Sequence, residues 1–188
     1  RDSKVKDLRI LHVIPSLDPS HGGPSRSVGG LARAQTEFAD SVQVVAGGRP
    51  NAYASDRENL ELISYPLLPV RFSIPGRALY QQLRSSIFEA DLVHVHSIWN
   101  GTTTCAARLC RSMGKPMVLS PRGMLDRHNM RRRARLKRAY LIAERSNLDS
   151  MSAFHFLDDT EREGCRWLQA IERVPCFVQP NGLHLSQL

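Results

Sequence analysis

Short apolar segments alternate with longer segments of mixed polarity along nearly the whole chain. Apolar runs such as residues 8–14 (LRILHVI) and 42–46 (VQVVA) have the length of buried strands. The segments between such runs carry apolar residues at helical spacing. This alternation is typical of a parallel sheet whose strands are connected by helices. We therefore predict an α/β protein with a single Rossmann-like domain, in which about seven mainly parallel strands have helices on both faces.

The pattern assigns most of the chain to individual elements. The predicted strands are residues 8–14, 42–46, 62–65, 92–95, 117–119, 153–156 and 174–178. The predicted helices are a first one that carries Val28 and Phe38, followed by residues 77–90, 101–113, 129–147 and 159–170. Residues 48–59 are predicted to be a loop because Gly, Pro and Asn are frequent there.

Length and composition narrow the class of protein. A chain of 188 residues with 41% hydrophobic residues can bury one core without disulfides or structural metals, so we predict one domain over residues 1–188. Four scattered cysteines do not form a disulfide framework or a zinc motif. The chain begins with Arg1, and its start shows neither a signal-peptide pattern nor a membrane-spanning run. We therefore expect reduced thiols and a cytoplasmic location.

The loop after the first strand is the first candidate binding site. It contains Gly22, Gly23 and Ser25 immediately before a predicted helix. Adjacent glycines allow a ligand to approach the backbone, and the N–H groups at the start of a helix attract anions. The dinucleotide motif G-x-G-x-x-G is absent. The alternative is a simple turn in which Ser25 caps the helix.

The loop after the strand at 92–95 is the second candidate. His94 and His96 are two residues apart and point to the same face of the strand, and Ser97 and Trp99 follow them. No third or fourth metal ligand is evident from the sequence, so we predict no metal site. His94 fits a hydrogen-bonded core residue, whereas His96 could be structural or could contact a ligand.

A third loop places Ser120 and Arg122 at the end of another strand. A guanidinium can bind phosphate or carboxylate through two hydrogen bonds, and Gly123 permits a sharp turn beside it. An ordinary surface salt bridge of Arg122 is the alternative. A fourth loop, with the sequence Pro180-Asn181-Gly182, is predicted to be a turn.

The most strongly charged segment spans residues 127–138 and holds seven cationic side chains. On a single helix, Arg131, Arg135 and Arg138 would share one face. A different face would carry the apolar residues of this segment, which are Leu136, Ala139, Tyr140 and Ala143. The cationic face could be solvated, or it could bind nucleic acid or anionic lipid headgroups. Nucleic acid is the least favoured partner because stacking aromatic residues are not interleaved with the charges.

Five segments in order resemble one family. They read ILHVIPSLDPSHGGPSRSV, DLVHVHSIWN, PMVLSPRGML with the basic segment after it, AFHFLDDTERE and VQPNGL. Together they resemble the N-terminal domain of family 4 retaining glycosyltransferases of GT-B fold. The resemblance runs from residue 9 to residue 183. It implies that a C-terminal donor-binding domain is absent from this chain.

The resemblance also implies roles for individual residues. Gly22 and Gly23 would approach the donor's diphosphate and sugar, and His96, Ser97 and Trp99 would border the acceptor. Arg122 stands where many relatives carry a histidine that contacts the sugar. No catalytic residue is assigned in this half. His96 and Arg122 are the candidates, and an arginine cannot act as a base near neutral pH.

The implied reaction transfers a sugar from a nucleotide-sugar donor to an acceptor hydroxyl with retention, in polysaccharide or glycolipid assembly. The nucleotide sugar is a substrate, so no cofactor is expected, and this chain alone should not turn over. The expected partners are a saccharide or lipid-linked acceptor and an anionic membrane surface at the inner face of the membrane. A stand-alone flavodoxin-like nucleotide-binding or regulatory module is the alternative.

Overall fold

The protein forms one eight-stranded sheet flanked by helices. A computed structural model describes residues 7–18, 20, 23–48, 51–53, 55, 57–68 and 74–182. The strands are β1 (Arg9–Ile14), β2 (Ser41–Gly47), β3 (Asn51–Tyr53), β4 (Leu60–Tyr65), β5 (Leu92–His96), β6 (Met117–Ser120), β7 (Ala153–Phe156) and β8 (Cys176–Val178). The helices are α1 (Gly23–Gln35), α2 (Arg77–Glu89), α3 (Gly101–Met113), α4 (Arg127–Arg131), α5 (Ala134–Asp149), α6 (Asp159–Gly164) and α7 (Ala170–Arg173).

The strand order is β3-β4-β2-β1-β5-β6-β7-β8. All neighbouring strands are parallel except β3, which pairs antiparallel with β4. The predicted α/β fold with a mainly parallel sheet is confirmed, and each of the seven predicted strands is present. The prediction of a loop over residues 48–59 is wrong for β3. This three-residue edge strand is held by its pairing with β4, and it is too short to leave a periodic pattern in the sequence.

Both faces of the sheet are covered, and side chains of β1 alternate between two cores. Ile10 and Ile14 belong to the smaller core, to which α1 contributes Val28. Leu11 and Val13 belong to the larger core, which includes residues of α2 and α3. Because successive strand residues point to opposite faces, helices on both sides bury the strand completely. The same alternation places the site described below on the face covered by α1.

The predicted helix over residues 129–147 is wrong in one respect. It is divided into α4 and α5 by Arg133, whose φ of 58° is in the left-handed region. The remainder, α5, packs against α3 and α7. Helical spacing in the sequence does not reveal such a break, because arginine is a good helix former. The predicted helix over residues 159–170 is likewise divided, into α6 and α7.

The inward side of α5 combines apolar and polar residues. Leu148 belongs to the larger core, whereas Glu144 and Asn147 are buried against α3 and connected to Arg108 and Arg111 by hydrogen bonds. Four apolar residues of α5 are exposed, namely Leu136, Ala139, Ile142 and Ala143. Tyr140 is partly buried, and its hydroxyl contacts Thr104. The predicted apolar face of this segment is therefore mostly exposed, with Tyr140 as its partly buried member.

Candidate functional site

The candidate site lies at the carboxyl edge of the sheet, near the ends of β1, β5 and β6. The chain passes from β1 to β2 on one side, whereas β5 flanks β1 on the other. The loops that leave β1 and β5 therefore diverge and open a crevice between them. Ligands of open parallel α/β sheets bind in such a crevice.

Polar side chains line this edge on the face covered by α1. His12 of β1 lies beside His94 of β5 in the strand register, and His96 lies beside Ser120 of β6. These four residues and His155 of β7 are all buried. Apolar residues occupy the alternate positions of the same strands, on the opposite face. The strands are thus apolar on one face and carry a row of imidazoles on the other.

Arg122 connects this row to two other parts of the domain. Its Nη2 lies 3.1 Å from Nδ1 of His96, and its Nη1 lies 2.6 Å from Oδ1 of Asn181 and 3.3 Å from Oγ of Ser27 in α1. Its Nε is buried and has no hydrogen-bond partner within the described part of the chain. The alternative of a surface salt bridge for Arg122 is wrong, because all three of these partners are neutral.

The backbone that carries Arg122 is held in an uncommon conformation. Arg122 and Gly123 have φ values of 57° and 73°, in the left-handed region. Arginine rarely adopts this conformation, and such strain tends to occur at functional sites. The buried carboxylate of Glu161 stabilises the turn, since it accepts hydrogen bonds from the backbone N–H groups of Gly123 at 2.5 Å and Leu157 at 2.8 Å.

The buried imidazoles are neutral near pH 7. Burial lowers the pKa of His12 to about 4, and the hydrogen bond to Gln35 only partly opposes this effect. Burial, and then the neighbouring histidines and Arg122, holds the pKa values of His94 and His96 well below the ordinary value. Burial also lowers the pKa of Arg122. A guanidinium remains charged even so, which leaves Arg122 as the cation of this cluster.

The expectation that no third metal ligand lies near His94 and His96 is corrected by the fold. Ring nitrogens of His12, His94 and His96 lie within 4.8 Å of one another. However, Nδ1 of His12 and Nε2 of His96 are 2.9 Å apart, a hydrogen-bond distance. Two nitrogens on a tetrahedral zinc ion would be about 3.3 Å apart. The adjacent Arg122 charge also opposes a cation, so these residues fit a hydrogen-bonded cluster better than a metal site.

The first predicted loop is described only in part. Gly22 lies outside the described residues. Gly23 begins α1, and a side chain added there would meet no atom within 4 Å, so the space in front of it is open. Ser25 does not cap the helix, because it lies inside α1 and its Oγ donates to the carbonyl of Ser16 at 3.0 Å.

The second predicted loop contains two more residues in the left-handed region. Ser97 and Trp99 both have a φ of 72°. Ser97 is buried, and its N–H donates to the carbonyl of Ser120 at 2.8 Å. The indole N–H of Trp99 donates to the carbonyl of Met124, and Lys137 lies 5.3 Å from its ring centre. Trp99 therefore ties the second loop to the third loop and to α5.

The predicted cationic face is not formed as expected. Arg131 belongs to α4, whereas Arg135 and Arg138 belong to α5 and are exposed. Arg131 and Arg138 instead line an open groove of about 340 Å³ together with Arg127 and Trp167. In the described part of the chain, none of these arginines forms an ion pair.

Several residues of the site, among them His155 and Ser27, were not identified from the sequence. Gln35, Asn181 and Glu161 are ordinary polar residues in helices or loops, and nothing in the local pattern marks them. His12 carried a usable signal, because it is the single polar residue within the apolar run of β1. A buried polar side chain needs a partner, so its position already indicated a polar contact on the α1 face.

The fold and this site define a Rossmann-like domain with a ligand crevice at its topological switch point. The chain belongs to the glycosyl transferase 4-like domain family, whose model matches residues 22–182. The sequence resemblance to the N-terminal domain of family 4 glycosyltransferases of GT-B fold is thereby confirmed. Comparison with curated protein sequences finds no match.

Solved structures share the fold at low sequence identity. Sucrose-phosphate synthase from Thermosynechococcus elongatus superposes with a TM-score of 0.67 and 14% identity, over 95% of this chain and 49% of that one. HepE of Anabaena, solved in complex with UDP, has a TM-score of 0.53 and 14% identity, over 95% and 45%. A putative UDP-N-acetylglucosamine 2-epimerase from Listeria monocytogenes has a TM-score of 0.53 and 11% identity, over 92% and 44%. The chain thus spans about half the length of these structures.

Proposed function

We propose that this chain is the N-terminal, acceptor-binding half of a glycosyltransferase. The complete enzyme would transfer a sugar from a nucleotide-sugar donor to an acceptor hydroxyl with retention, in polysaccharide or glycolipid assembly. A donor-binding domain outside these residues would complete the site. Membership of the glycosyl transferase 4-like family supports the reaction class. The UDP in the complex with HepE, which shares the fold, is consistent with a nucleotide-linked donor.

The observation that carries the proposal is the unpartnered N–H of Arg122 at the switch point. A buried donor without an acceptor costs about 1–3 kcal/mol, so its retention in the folded protein favours a role with a ligand. The ligand chemistry that suits a guanidinium beside the first turns of a helix is an oxyanion. The donor's diphosphate is such a group.

The proposed mechanism assigns electrostatic work to this half of the enzyme. Arg122 would stabilise the negative charge that develops on the departing diphosphate, together with the start of α1 near Gly23. His96 does not fit a general base, because it is buried and both of its ring nitrogens already contact a neighbour. We propose that it holds Arg122. Neither a cofactor nor a metal ion is part of this proposal.

The test measures transfer by the longer protein that contains this chain. We expect release of nucleoside diphosphate from a panel of nucleotide sugars only when an acceptor is present, and a product with retained anomeric configuration by NMR. Gly23→Val should abolish transfer, because the added side chain enters open space that the substrate needs. Gly29→Val, at an equally open position farther along α1, is the matched control.

Two outcomes would contradict this proposal. If Gly23→Val retains kcat/KM, the loop is a structural turn and does not contact the donor. If the chain binds a nucleotide by itself with high affinity and the longer protein transfers no sugar, the alternative of a nucleotide-binding module is correct. Transfer by this chain alone, at the rate of the longer protein, would contradict the division into two half-sites.

We also propose that α5 docks on an anionic membrane surface, which would place the enzyme at the cytoplasmic face near a lipid-linked acceptor. The described helices include none that is long and apolar enough to cross a membrane. The outer side of α5 carries Ile142, which is 78% exposed, and Leu136, which is 51% exposed. Arg135 and Arg138 lie on the same outer side. Apolar residues flanked by cations are typical of helices that lie in the membrane interface.

Co-sedimentation with vesicles tests the membrane proposal. The chain should pellet with vesicles rich in phosphatidylglycerol at low salt and stay in solution with phosphatidylcholine alone. Arg135→Glu combined with Arg138→Glu should remove binding. The matched control is Arg77→Glu combined with Arg84→Glu, which changes the net charge equally on the exposed surface of α2. Equal loss in both double variants would show a non-specific effect of net charge, and the docking site would be wrong.

A further inference from the structure

The inference concerns the hydrogen-bond chain that runs from α1 through two histidines to Arg122. We propose that Gln35, His12 and His96 are positioning residues, which fix the orientation of the Arg122 guanidinium. In this series Arg122 donates to His96, His96 donates to His12, and His12 donates to Gln35. The role of Arg122 towards a ligand rests on the proposed function. The positioning of the guanidinium does not rest on the proposed function, and it can be measured in this protein without any reaction.

The donor and the acceptor of each hydrogen bond in this series follow from Arg122. Arg122 carries only donors, so the contact of its Nη2 with Nδ1 of His96 requires a lone pair on that nitrogen. A neutral His96 therefore carries its proton on Nε2, which lies 2.9 Å from Nδ1 of His12. Because Nε2 of His96 is the donor there, Nδ1 of His12 must be the acceptor.

The proton of His12 and the role of Gln35 follow in the same way. With Nδ1 as the acceptor, a neutral His12 carries its proton on Nε2, which lies 2.6 Å from Oε1 of Gln35. The amide oxygen of Gln35 accepts this proton. Each of the three contacts thus pairs one donor with one acceptor. No other assignment of protons to two neutral histidines satisfies all three contacts.

Gln35 controls this direction even though it does not touch Arg122. Without an acceptor at residue 35, the Nε2 proton of His12 is buried and unpaired, which destabilises this arrangement. Moving the proton to Nδ1 of His12 would relieve this cost but would oppose the Nε2 proton of His96. If His96 also reversed, its Nδ1 proton would oppose the guanidinium. Each of these proton rearrangements therefore displaces either His96 or Arg122.

A second series of hydrogen bonds assigns the protons of the other two buried histidines of the cluster. The carbonyl of Gln179 accepts from Nε2 of His155 at 2.8 Å, which leaves Nδ1 of His155 to accept from Oγ of Ser120 at 2.7 Å. Oγ of Ser120 then accepts from Nε2 of His94 at 2.7 Å. All four buried histidines consequently carry their proton on Nε2. This uniform result is a specific and measurable property of the cluster.

The experiment reads the tautomers directly in this chain. Nitrogen-15 NMR of histidine-labelled protein at pH 7.5 should show His12 and His96 as neutral Nε2–H tautomers. In Gln35→Leu, we expect a mixture of tautomers at these two residues. We also expect hydrogen exchange at Nε of Arg122 to be about tenfold faster, because the guanidinium loses the contact of its Nη2 with His96 and Nε is no longer held in its buried position. Gln35→Glu keeps an acceptor at residue 35 and should restore both signals.

The control variant is Gln43→Leu, because Gln43 bonds Glu61 on the exposed part of β2 and not the cluster. It should leave the histidine and arginine signals unchanged. Far-UV circular dichroism checks that each variant is folded. In the longer protein, Gln35→Leu should raise the KM for the donor more than Gln43→Leu does, and Gln35→Glu should reverse part of this effect.

Three results would overturn the inference. One is a native His96 that carries its proton on Nδ1 or is doubly protonated at pH 7.5. Another is a folded Gln35→Leu with native tautomers and native exchange at Arg122. The third is stoichiometric Zn²⁺ binding that shifts the signals of His12, His94 and His96 together. If the tautomers are as expected but no nucleotide sugar is used, the positioning chain stands and the proposed function fails.

Discussion

The histidine-lined edge of the sheet and the outer surface of α4 and α5 handle polar groups in opposite ways. At the sheet edge, neutral imidazoles are buried and paired, and they surround one cation, Arg122. On α4 and α5, many arginines are exposed and have no acidic partner within the described residues. A buried network can orient a single charge because each contact accepts only one geometry. An exposed set of charges instead acts through its summed field, which salt screens.

The largest expected effect tests whether the sheet edge depends on buried hydrogen bonds. Glu161→Leu should lower the free energy of unfolding by about 3 kcal/mol, because it leaves the backbone N–H groups of Gly123 and Leu157 without their acceptor. Glu163→Leu should cost less than about 0.5 kcal/mol, since its ion pair with Arg166 is exposed. Urea unfolding of both variants measures this difference, and equal losses would contradict the contrast between the two regions.

The second expectation concerns the single cation of the sheet edge. Arg122→Met should reduce kcat/KM of the longer protein by about 100-fold, the order expected for loss of one charged contact with a developing anion. Arg26→Met, at an exposed position of α1, is the control for removal of one positive charge from the same side of the domain. A similar kcat/KM for the native protein and Arg122→Met would remove Arg122 from the proposed site.

The third expectation is that stability depends on pH because of the buried histidines at the sheet edge. Because burial lowers the pKa of His12 from 6.5 to about 4, the unfolded chain binds a proton before the folded chain does. Stability should therefore be full above pH 6.5 and fall as the pH decreases towards 4. The contribution of His12 alone is a loss of about 2 kcal/mol at pH 5. His94 and His96 shift in the same direction and add to the loss.

Urea midpoints at pH 7.5 and pH 5 measure this dependence, and vesicle binding over the same range supplies the comparison. Arginine does not titrate in this range, so the contribution of α5 to binding should stay constant wherever the chain is folded. A stability that does not change between these pH values would show that the buried histidines are not held neutral.

The smallest expected effect distinguishes the apolar contribution of α5 to vesicle binding from the contribution of its charges. Ile142→Gln should weaken binding to anionic vesicles about fivefold, since only part of one apolar side chain is withdrawn from the interface. Its salt dependence should match that of the native chain, because no charge changes. Phe88→Gln, at another exposed apolar residue on α2, is the control. Equal weakening by both substitutions would contradict a specific role for α5.

Much of the fold was predictable from the sequence for a physical reason. Strands buried on both faces must be nearly continuous runs of apolar residues, and such runs mark β1, β2 and β5. The helix α3 was predicted with its observed ends, and Gly114 ends it in the left-handed conformation. In the structure, Asn100 also caps its start. Local signals of this kind do not depend on the rest of the chain.

The candidate site was predictable in its position but not in its composition. Parallel strands bring their carboxyl ends to one edge, and the predicted loops that hold His96, Ser120 and Arg122 begin at this edge. The partners Gln35 and Asn181 are 87 and 59 residues away from Arg122 in the chain, and no local pattern connects them to it. The break of the basic helix at Arg133 was also hidden, because arginine is a good helix former and no glycine or proline marks the break in the sequence.

The sequence by itself therefore determined the alternation of strands and helices, the edge at which the chemistry lies, and the family. Its periodicities and caps act over a few residues, and they are the same wherever the segment is placed. Only the tertiary structure decided which polar groups meet, which face of α5 is exposed, and which hydrogen-bond partners each buried histidine has. These properties depend on pairing between distant residues, since a buried donor or acceptor is stable only when the fold supplies its complement.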